Sequence, residues 1–364
     1  MTGHTAGGRA LDAAAAPPGR LTEEDAAALD GLRGVAALMV VFSHASLLGA
    51  DLVPLPLEGI GKYGVFLFFV ISAFLLTLQW LVPEPGQPPA RLLRRYLVRR
   101  VARIYPLYAL VLIAGWALPP PGLGVPLDTP ALGRHLALLE GRGIYWSIPV
   151  EFAYYLVLPG VAALLGAAGR LPVVLRLVGW AALLLAGLWL FPASASPLNS
   201  IRLGDYLPIF LFGSLAAAVF VRWPTTARAG GPWRVVDALV LAALAMTVPA
   251  VLRRFMPDAP ADLLHRAFLA WGLFWSVVLL GLLRGPLTIL RRLCRTRFLG
   301  LCGRWCFALY LLHMPALYAA RKLPLPPALQ GWLGLALALA LAAAAHACVE
   351  RPAIRWARRV TASR

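Results

Sequence analysis

Two ionisable residues lie in the first apolar stretch of the chain, an arginine at position 33 and a histidine at position 44. In an α-helix they would be about 16 Å apart along the axis, roughly half the thickness of a bilayer core. Arg33 would then lie at one interface and His44 near the midplane, where an ionisable group is costly and marks a functional site. A neutral imidazole there is a candidate general base, and a histidine that only hydrogen-bonds a neighbouring carbonyl is the equal alternative.

A run of arginines precedes a later apolar stretch. Two of them, Arg100 and Arg103, are spaced to project from one helix face. A pair of guanidinium groups can bind phosphate in a bidentate manner. The alternative is ordinary positive charge at the cytosolic end of a span, in contact with anionic lipid. For Arg100 and Arg103, phosphate binding and ordinary cytosolic charge are equally favoured. For Arg91 to Arg95, ordinary cytosolic charge is favoured.

Further polar residues lie inside apolar stretches. Glu151 needs a partner at that depth, and its alternative role is a helix cap at the interface. Ser72 is expected to hydrogen-bond across helices, because the motif of a serine nucleophile is missing around it. Tyr310 and His313, three residues apart in a late span, are supporting candidates. The four cysteines have no further ligands nearby in sequence, which favours reduced, buried thiols and no metal site.

The composition predicts an all-α, polytopic membrane protein. Of the 364 residues 60% are hydrophobic and 14% charged, and the mean hydropathy is +0.75. The alternating period of a membrane β-barrel is absent. The formal net charge of +18 would suggest nucleic acid in a soluble protein, but no basic stretch is interleaved with aromatic residues as a nucleic-acid groove would need. Basic loops on one side of a membrane explain the charge better, so we expect a lipid bilayer and no nucleic acid as partner.

Ten apolar segments are long enough to span a bilayer. With the N-terminus in the cytosol, 25 of the 34 lysines and arginines fall on the cytosolic side, which predicts that both termini are inside. Residues 1–28 are predicted to form a disordered cytosolic tail, residues 29–352 a transmembrane domain and residues 353–364 a basic cytosolic tail. The predicted spans are approximately 34–50, 60–82, 104–118, 147–167, 172–192, 204–222, 234–251, 266–284, 298–318 and 328–349.

Several blocks together resemble acyltransferase family three, bacterial inner-membrane enzymes that modify surface polysaccharides and some small molecules. The chain departs from the family pattern at Ala73, where glycine is usual, and at Arg304-Trp305, which replace a Ser-Tyr pair. Neither departure removes a proposed catalytic group. The blocks, in the family's order, are Leu29-Asp-Gly-Leu-Arg-Gly with His44, Gly64 to Phe74, Arg99 to Tyr108, Trp146 to Glu151, Leu207 to Gly213, Leu309 to His313, and Glu350-Arg-Pro352.

The resemblance implies an O-acyltransferase of the bacterial inner membrane. It links Arg33 and His44 to activity, and Arg100 and Arg103 to the use of acyl-CoA. Acyl-CoA, with acetyl-CoA as the expected form, would be a co-substrate bound from the cytosol, and the acceptor would be a hydroxyl of a carbohydrate or a small molecule. His44 would serve as general base or carry the acyl group, and Glu151 would orient the acceptor or a histidine. The thioester supplies the free energy, so no cofactor or metal is expected.

Two other classes of protein remain open at this stage. Intramembrane histidine and glutamate residues also suit a proton-coupled transporter, which would predict inverted repeats that the sequence does not display. A noncatalytic lipid-binding or scaffold protein is the third possibility. It gives Arg33, His44 and Glu151 no reason to be buried.

Overall fold

Helices form the regular structure of the described residues, which confirms the predicted all-α fold. The computed structural model describes residues 19–84, 86–118, 126–222, 233–258, 263–285 and 287–362. A π-helical turn, His346–Glu350, joins the last two helices. In chain order the helices are α1 (Glu23–Leu47), α2 (Ile60–Leu81), α3 (Pro89–Ala117), α4 (Thr129–Leu136), α5 (Ser147–Ala168), α6 (Val173–Leu190), α7 (Leu203–Arg222), α8 (Trp233–Met246), α9 (Pro249–Phe255), α10 (Phe268–Arg284), α11 (Thr288–Cys294), α12 (Arg297–Arg304), α13 (Cys306–Arg321), α14 (Pro327–Ala345) and α15 (Arg351–Ala362).

Among the described residues, six helical segments are long and apolar enough to cross a membrane. Two bent helix pairs, α8 with α9 and α10 with α11, raise that number to eight if each pair is one span. The α6 segment is the most exposed of the six, and Trp189 in it is 82% exposed. A helix that presents so much apolar surface suits a lipid environment, as expected for a multi-pass membrane protein.

Within the described residues, the predicted number of ten spans is not confirmed, and two of the differences have local reasons. The segment predicted at 104–118 is the apolar second half of α3, whose first half carries six arginines. The segment predicted at 298–318 is broken after Arg304, and α13 has only 16 residues. A sequence window averages across such breaks and charges, and therefore also counts segments whose helices are too short or too charged to qualify as candidate spans.

Both predicted tails extend too far into the folded domain. Helix α1 begins at Glu23 because Thr22 and Asp25 form a reciprocal capping box, in which each side chain accepts a backbone N–H at 3.1 Å. At the other end, α15 packs on α3 and buries Ala357 and Thr361. Residues 23–28 and 353–362 are therefore helical parts of the domain. The rest of the predicted N-terminal tail, up to residue 18, lies outside the described residues.

Helix α1 is central, and small residues allow its neighbours to approach. It packs against α2, α11, α12 and α13. A Cβ atom added at Gly31 would lie 1.7 Å from the carbonyl oxygen of Cys294, and one added at Gly303 would lie 1.6 Å from that of Asp30. Backbone atoms cannot move aside as a side-chain end can, so these two contacts require glycine.

We expect Gly303→Ala to lower the free energy of unfolding by about 1–3 kcal/mol, because the added methyl group overpacks the contact between α1 and α12. Gly300→Ala in the same helix is the matched control, since its Cβ would meet only the Arg304 guanidinium at 3.9 Å. Thermal unfolding of both variants in detergent measures the difference. Equal melting temperatures would contradict the close approach.

Candidate active site

Three neighbouring cavities share walls. The arginine cavity, of about 380 Å³, contains Arg33, Arg100 and Arg103 in its wall, and the same three residues line a narrower central pocket of about 100 Å³. Val65 and Tyr310 line both the central pocket and a third space of about 390 Å³, the histidine cavity, which contains His44. The three cavities therefore follow one another, with guanidinium groups at one end and an imidazole at the other.

The spacing of Arg33 and His44 matches this series. Eleven residues correspond to about three helical turns, so both side chains project from nearly the same face of α1. That face lines the arginine cavity and the central pocket at Arg33 and the histidine cavity at His44. The two residues do not share a cavity. The helix holds them at opposite ends of the series.

His44 is paired with a second histidine from α13. Nδ1 of His44 lies 2.9 Å from the carbonyl oxygen of Val40 and 3.2 Å from Nε2 of His313. Nδ1 of His313 in turn lies 2.8 Å from the carbonyl oxygen of Tyr310, and His313 is fully buried. The sequence placed His313 only as a supporting candidate, and the fold makes it the direct neighbour of His44.

These contacts define the tautomer of each neutral ring. A carbonyl oxygen only accepts hydrogen bonds, so Nδ1 carries the proton in both His44 and His313. Nε2 of His313 then presents a lone pair to the N–H of His44. Nε2 of His44 is left unprotonated, which is the state that a general base or a nucleophile requires.

Glu151 lies in the central pocket rather than beside a histidine. One of its carboxylate oxygens, Oε1, accepts hydrogen bonds from Ser72 Oγ at 2.7 Å and from Tyr155 OH at 2.6 Å. Ser72 thus bonds across from α2 to α5, as predicted. Because the contact is with Ser72 and Tyr155, the acid shapes the narrow pocket and is not the partner of His44.

Tyr310 forms the boundary between the central pocket and the histidine cavity. Its hydroxyl accepts a hydrogen bond from Ser147 Oγ at 2.9 Å and donates to the carbonyl oxygen of Ile144. Both partners come from the start of α5 and the turn before it. Tyr310 therefore ties α13 to α5 at the point where the two spaces meet.

The two arginines of the predicted phosphate clamp differ in their surroundings. Arg103 donates to Glu350 Oε2 at 2.8 Å, and the same oxygen lies 2.9 Å from Nδ1 of His346. Arg100 lines the arginine cavity and the central pocket, and its buried Nε has no hydrogen-bond partner among the described residues. Arg100 thus has donor capacity to offer a ligand, whereas Arg103 is held by a carboxylate.

Some residues at the site were missed from the sequence. Arg304 and Arg358 line the arginine cavity, although Arg304 had been noted only as a departure from the family pattern. Lys62 lines the histidine cavity, with Nζ 3.0 Å from Asn199 Oδ1 and 4.9 Å from the centre of the Trp146 ring. Glu350 was noted only within a matched block. No local pattern indicates these contacts, because each joins segments that are far apart in the chain.

A sequence family described as an acyltransferase domain matches residues 26–348, most of the chain. The chain belongs to acyltransferase family three. It is also 28% identical to acyltransferase MdmB of Streptomyces mycarofaciens, over 90% of this chain and 91% of that protein. No solved structure matches the chain. The family resolves the choice between enzyme and transporter in favour of an acyltransferase.

We expect His313→Leu to slow acyl transfer about 10- to 100-fold, because it removes the acceptor that holds the N–H of His44. His313→Gln, whose amide oxygen can accept the same hydrogen bond, should retain more activity than the leucine variant. Initial rates in membranes containing equal amounts of each variant measure this. Wild-type rates in His313→Leu would leave the histidine with a packing role only.

Proposed function

We propose that this protein transfers an acetyl or other acyl group from cytosolic acyl-CoA to a hydroxyl of an exported carbohydrate or a similar small-molecule acceptor, in the bacterial inner membrane. The observation that carries the proposal is the series of cavities that begins among arginines and ends at the unprotonated nitrogen of His44. An acyl-CoA has the matching form. Its phosphates are at one end, its thioester is at the other, and a thin uncharged arm joins them.

The charge distribution supports binding of the donor from the cytosol. Six arginines line the arginine cavity, and positive charge favours the cytosolic face. Glu58, Lys62 and Asn199 of the histidine cavity belong to the sparsely basic side. Donor and acceptor would thus approach the reaction from opposite sides of the membrane.

The central pocket suits the arm of the donor. It is narrow, and its walls combine Phe68 and Phe69 with the polar groups of Ser72 and Glu151. The arm contains amide groups, which need hydrogen-bond partners once they leave water. The rise of about 16 Å between Arg33 and His44 sets the distance that the arm has to cover.

His44 would perform the proton transfer. Its Nε2 takes the proton from the acceptor hydroxyl, whose oxygen attacks the thioester carbonyl. The C–O ester bond forms, the C–S bond breaks, and the coenzyme thiolate leaves and receives the proton from the imidazolium. An alternative order, in which His44 first accepts the acyl group and then passes it on, uses the same nitrogen.

The orientation has a direct test. A reporter enzyme that is active only outside the cytosol, fused after Arg364, should give no signal, because positive charge keeps the basic C-terminal end inside. The same reporter fused after Ser196, in the connection between α6 and α7, is the control and should be active. A strong signal from the fusion at Arg364 would contradict both the orientation and donor binding from the cytosol.

The role of His44 is tested by two substitutions. General-base catalysis contributes about 10²- to 10⁴-fold, so His44→Ala and His44→Gln should both abolish detectable transfer without loss of membrane insertion. Transfer of a radiolabelled acyl group to acceptor in membranes of a deletion strain is the measurement. The glutamine variant is decisive, because it keeps a polar side chain without a base. Near-normal activity in His44→Gln would mean that the position needs only a hydrogen bond.

A further inference from the structure

The arginine cavity has more positive charge than its own structure neutralises. Arg33 comes from α1, Arg304 from α12 and Arg358 from α15, and α3 contributes Arg99, Arg100 and Arg103. Among the described residues that line the cavity, Asp30 supplies the one carboxylate, which leaves a formal excess of five positive charges. Outside the lining, Glu350 pairs with Arg103, and the charge of the exposed Glu84 acts on Arg99. Like charges gathered from four separate helices repel one another unless an anion lies between them.

Helix α15 brings the outermost of these arginines to the cavity. It packs on α3 with Ala357 and Thr361 buried, and Arg99 Nε donates to Thr361 Oγ1 at 3.4 Å. Arg358 and Arg359 are both exposed, but only Arg358 lines the wall of the cavity. Burial, together with the nearby guanidinium groups of Arg95 and Arg358, lowers the pKa of Arg99. Arg358 is thus close enough for its charge to act on Arg99.

We propose that Arg304 and Arg358 complete a polyphosphate site, in which α15 serves as one wall and binds the phosphate groups of the donor that lie farthest from the thioester. This rests on acyl-CoA being the donor. Arg100 and Arg33, at the entrance to the central pocket, are placed for the diphosphate that adjoins the arm. The nucleotide end of the donor then lies against Arg304, Arg358 and Arg99.

Charge and size agree with this assignment. A diphosphate and a phosphate monoester carry together about four negative charges at pH 7. The lining residues have an excess of five positive charges, and the ion pair of Arg103 with Glu350 lowers it by one. Guanidinium groups bind phosphate oxygens in pairs, and a cluster from several helices can surround one ligand. The cavity of about 380 Å³ also lies within the usual size range of small-molecule sites.

The test compares two adjacent arginines of one helix. Arg358→Ala should raise the KM for acetyl-CoA about tenfold and leave kcat nearly unchanged, because it removes one charge-assisted contact at a partly exposed site. Arg359→Ala, which removes the same charge from the same helix outside the cavity, should behave as the wild type. Rates are measured in nanodiscs of neutral phosphatidylcholine, so that anionic lipid is not present.

Two inhibitors identify the chemical group that Arg358 binds. Inhibition by adenosine 3′,5′-bisphosphate should weaken about tenfold in Arg358→Ala, in step with the KM, whereas any inhibition by pantetheine, which has no phosphate, should stay unchanged. Arg304→Ala should behave like Arg358→Ala.

Four outcomes would overturn the inference. Arg358→Ala could have the same KM as Arg359→Ala, or it could lower kcat without raising KM. It could also retain full inhibition by the bisphosphate, or show its effect only when anionic lipid is added. Failure of the proposed function gives a different result. The wild-type protein would then not use acyl-CoA, or Arg100→Ala would have the same KM for acyl-CoA as the wild type. A wild type that depends on Arg100 but not on Arg358 rejects the polyphosphate site alone.

Discussion

The close backbone contact between α1 and the helices that follow α10 organises this protein. Gly31 and Gly303 let carbonyl oxygens of the partner segments approach where any side chain would collide. This contact fixes the position of α12 and α13 along the axis of α1. His313 consequently reaches His44, and Arg304 reaches the same cavity as Arg33. The placement of polar side chains along α1 thus follows from two close backbone contacts, one at Gly31 and one at Gly303.

Inside this packing, three groups of polar side chains satisfy one another. His44 and His313 bond to each other and to carbonyl oxygens of their own helices. Ser72, Glu151 and Tyr155 form a second group, and Thr77 bonds to Ser214 at 2.7 Å in a third. A polar group buried without a partner costs free energy, and this cost is greatest in lipid. Each group therefore also fixes which helices are neighbours.

The sequence was informative where a signal is local. The apolar segments predicted the all-α membrane fold, and the three-turn spacing of Arg33 and His44 predicted two polar groups at different depths. Ser72 was expected to bond across helices, and it does. The ends of the domain were predicted less well, because the capping of α1 and the packing of α15 on α3 turn segments of low hydropathy into helix.

Contacts between distant segments could not be predicted from the sequence. Arg103 and Glu350 are 247 positions apart, and His44 and His313 are 269 apart. Charge and spacing predict that such residues need partners, but they do not select the partner. Glu151 illustrates the limit. Its need for a hydrogen bond was evident, whereas the identity of the donors, Ser72 and Tyr155, depends on how α2 and α5 pack.

The narrowness of the central pocket has a consequence for the cell as a whole. A protein with wide cavities on both sides of a bilayer risks conducting ions, and each charge that crosses dissipates about 2.3 kcal/mol per 100 mV of membrane potential. The hydroxyl of Tyr310, bound to Ser147 and Ile144, lies where the central pocket meets the histidine cavity. Under the proposed function, a side chain fixed at this point would leave little room for hydrated ions, so that acyl transfer would not dissipate the membrane potential.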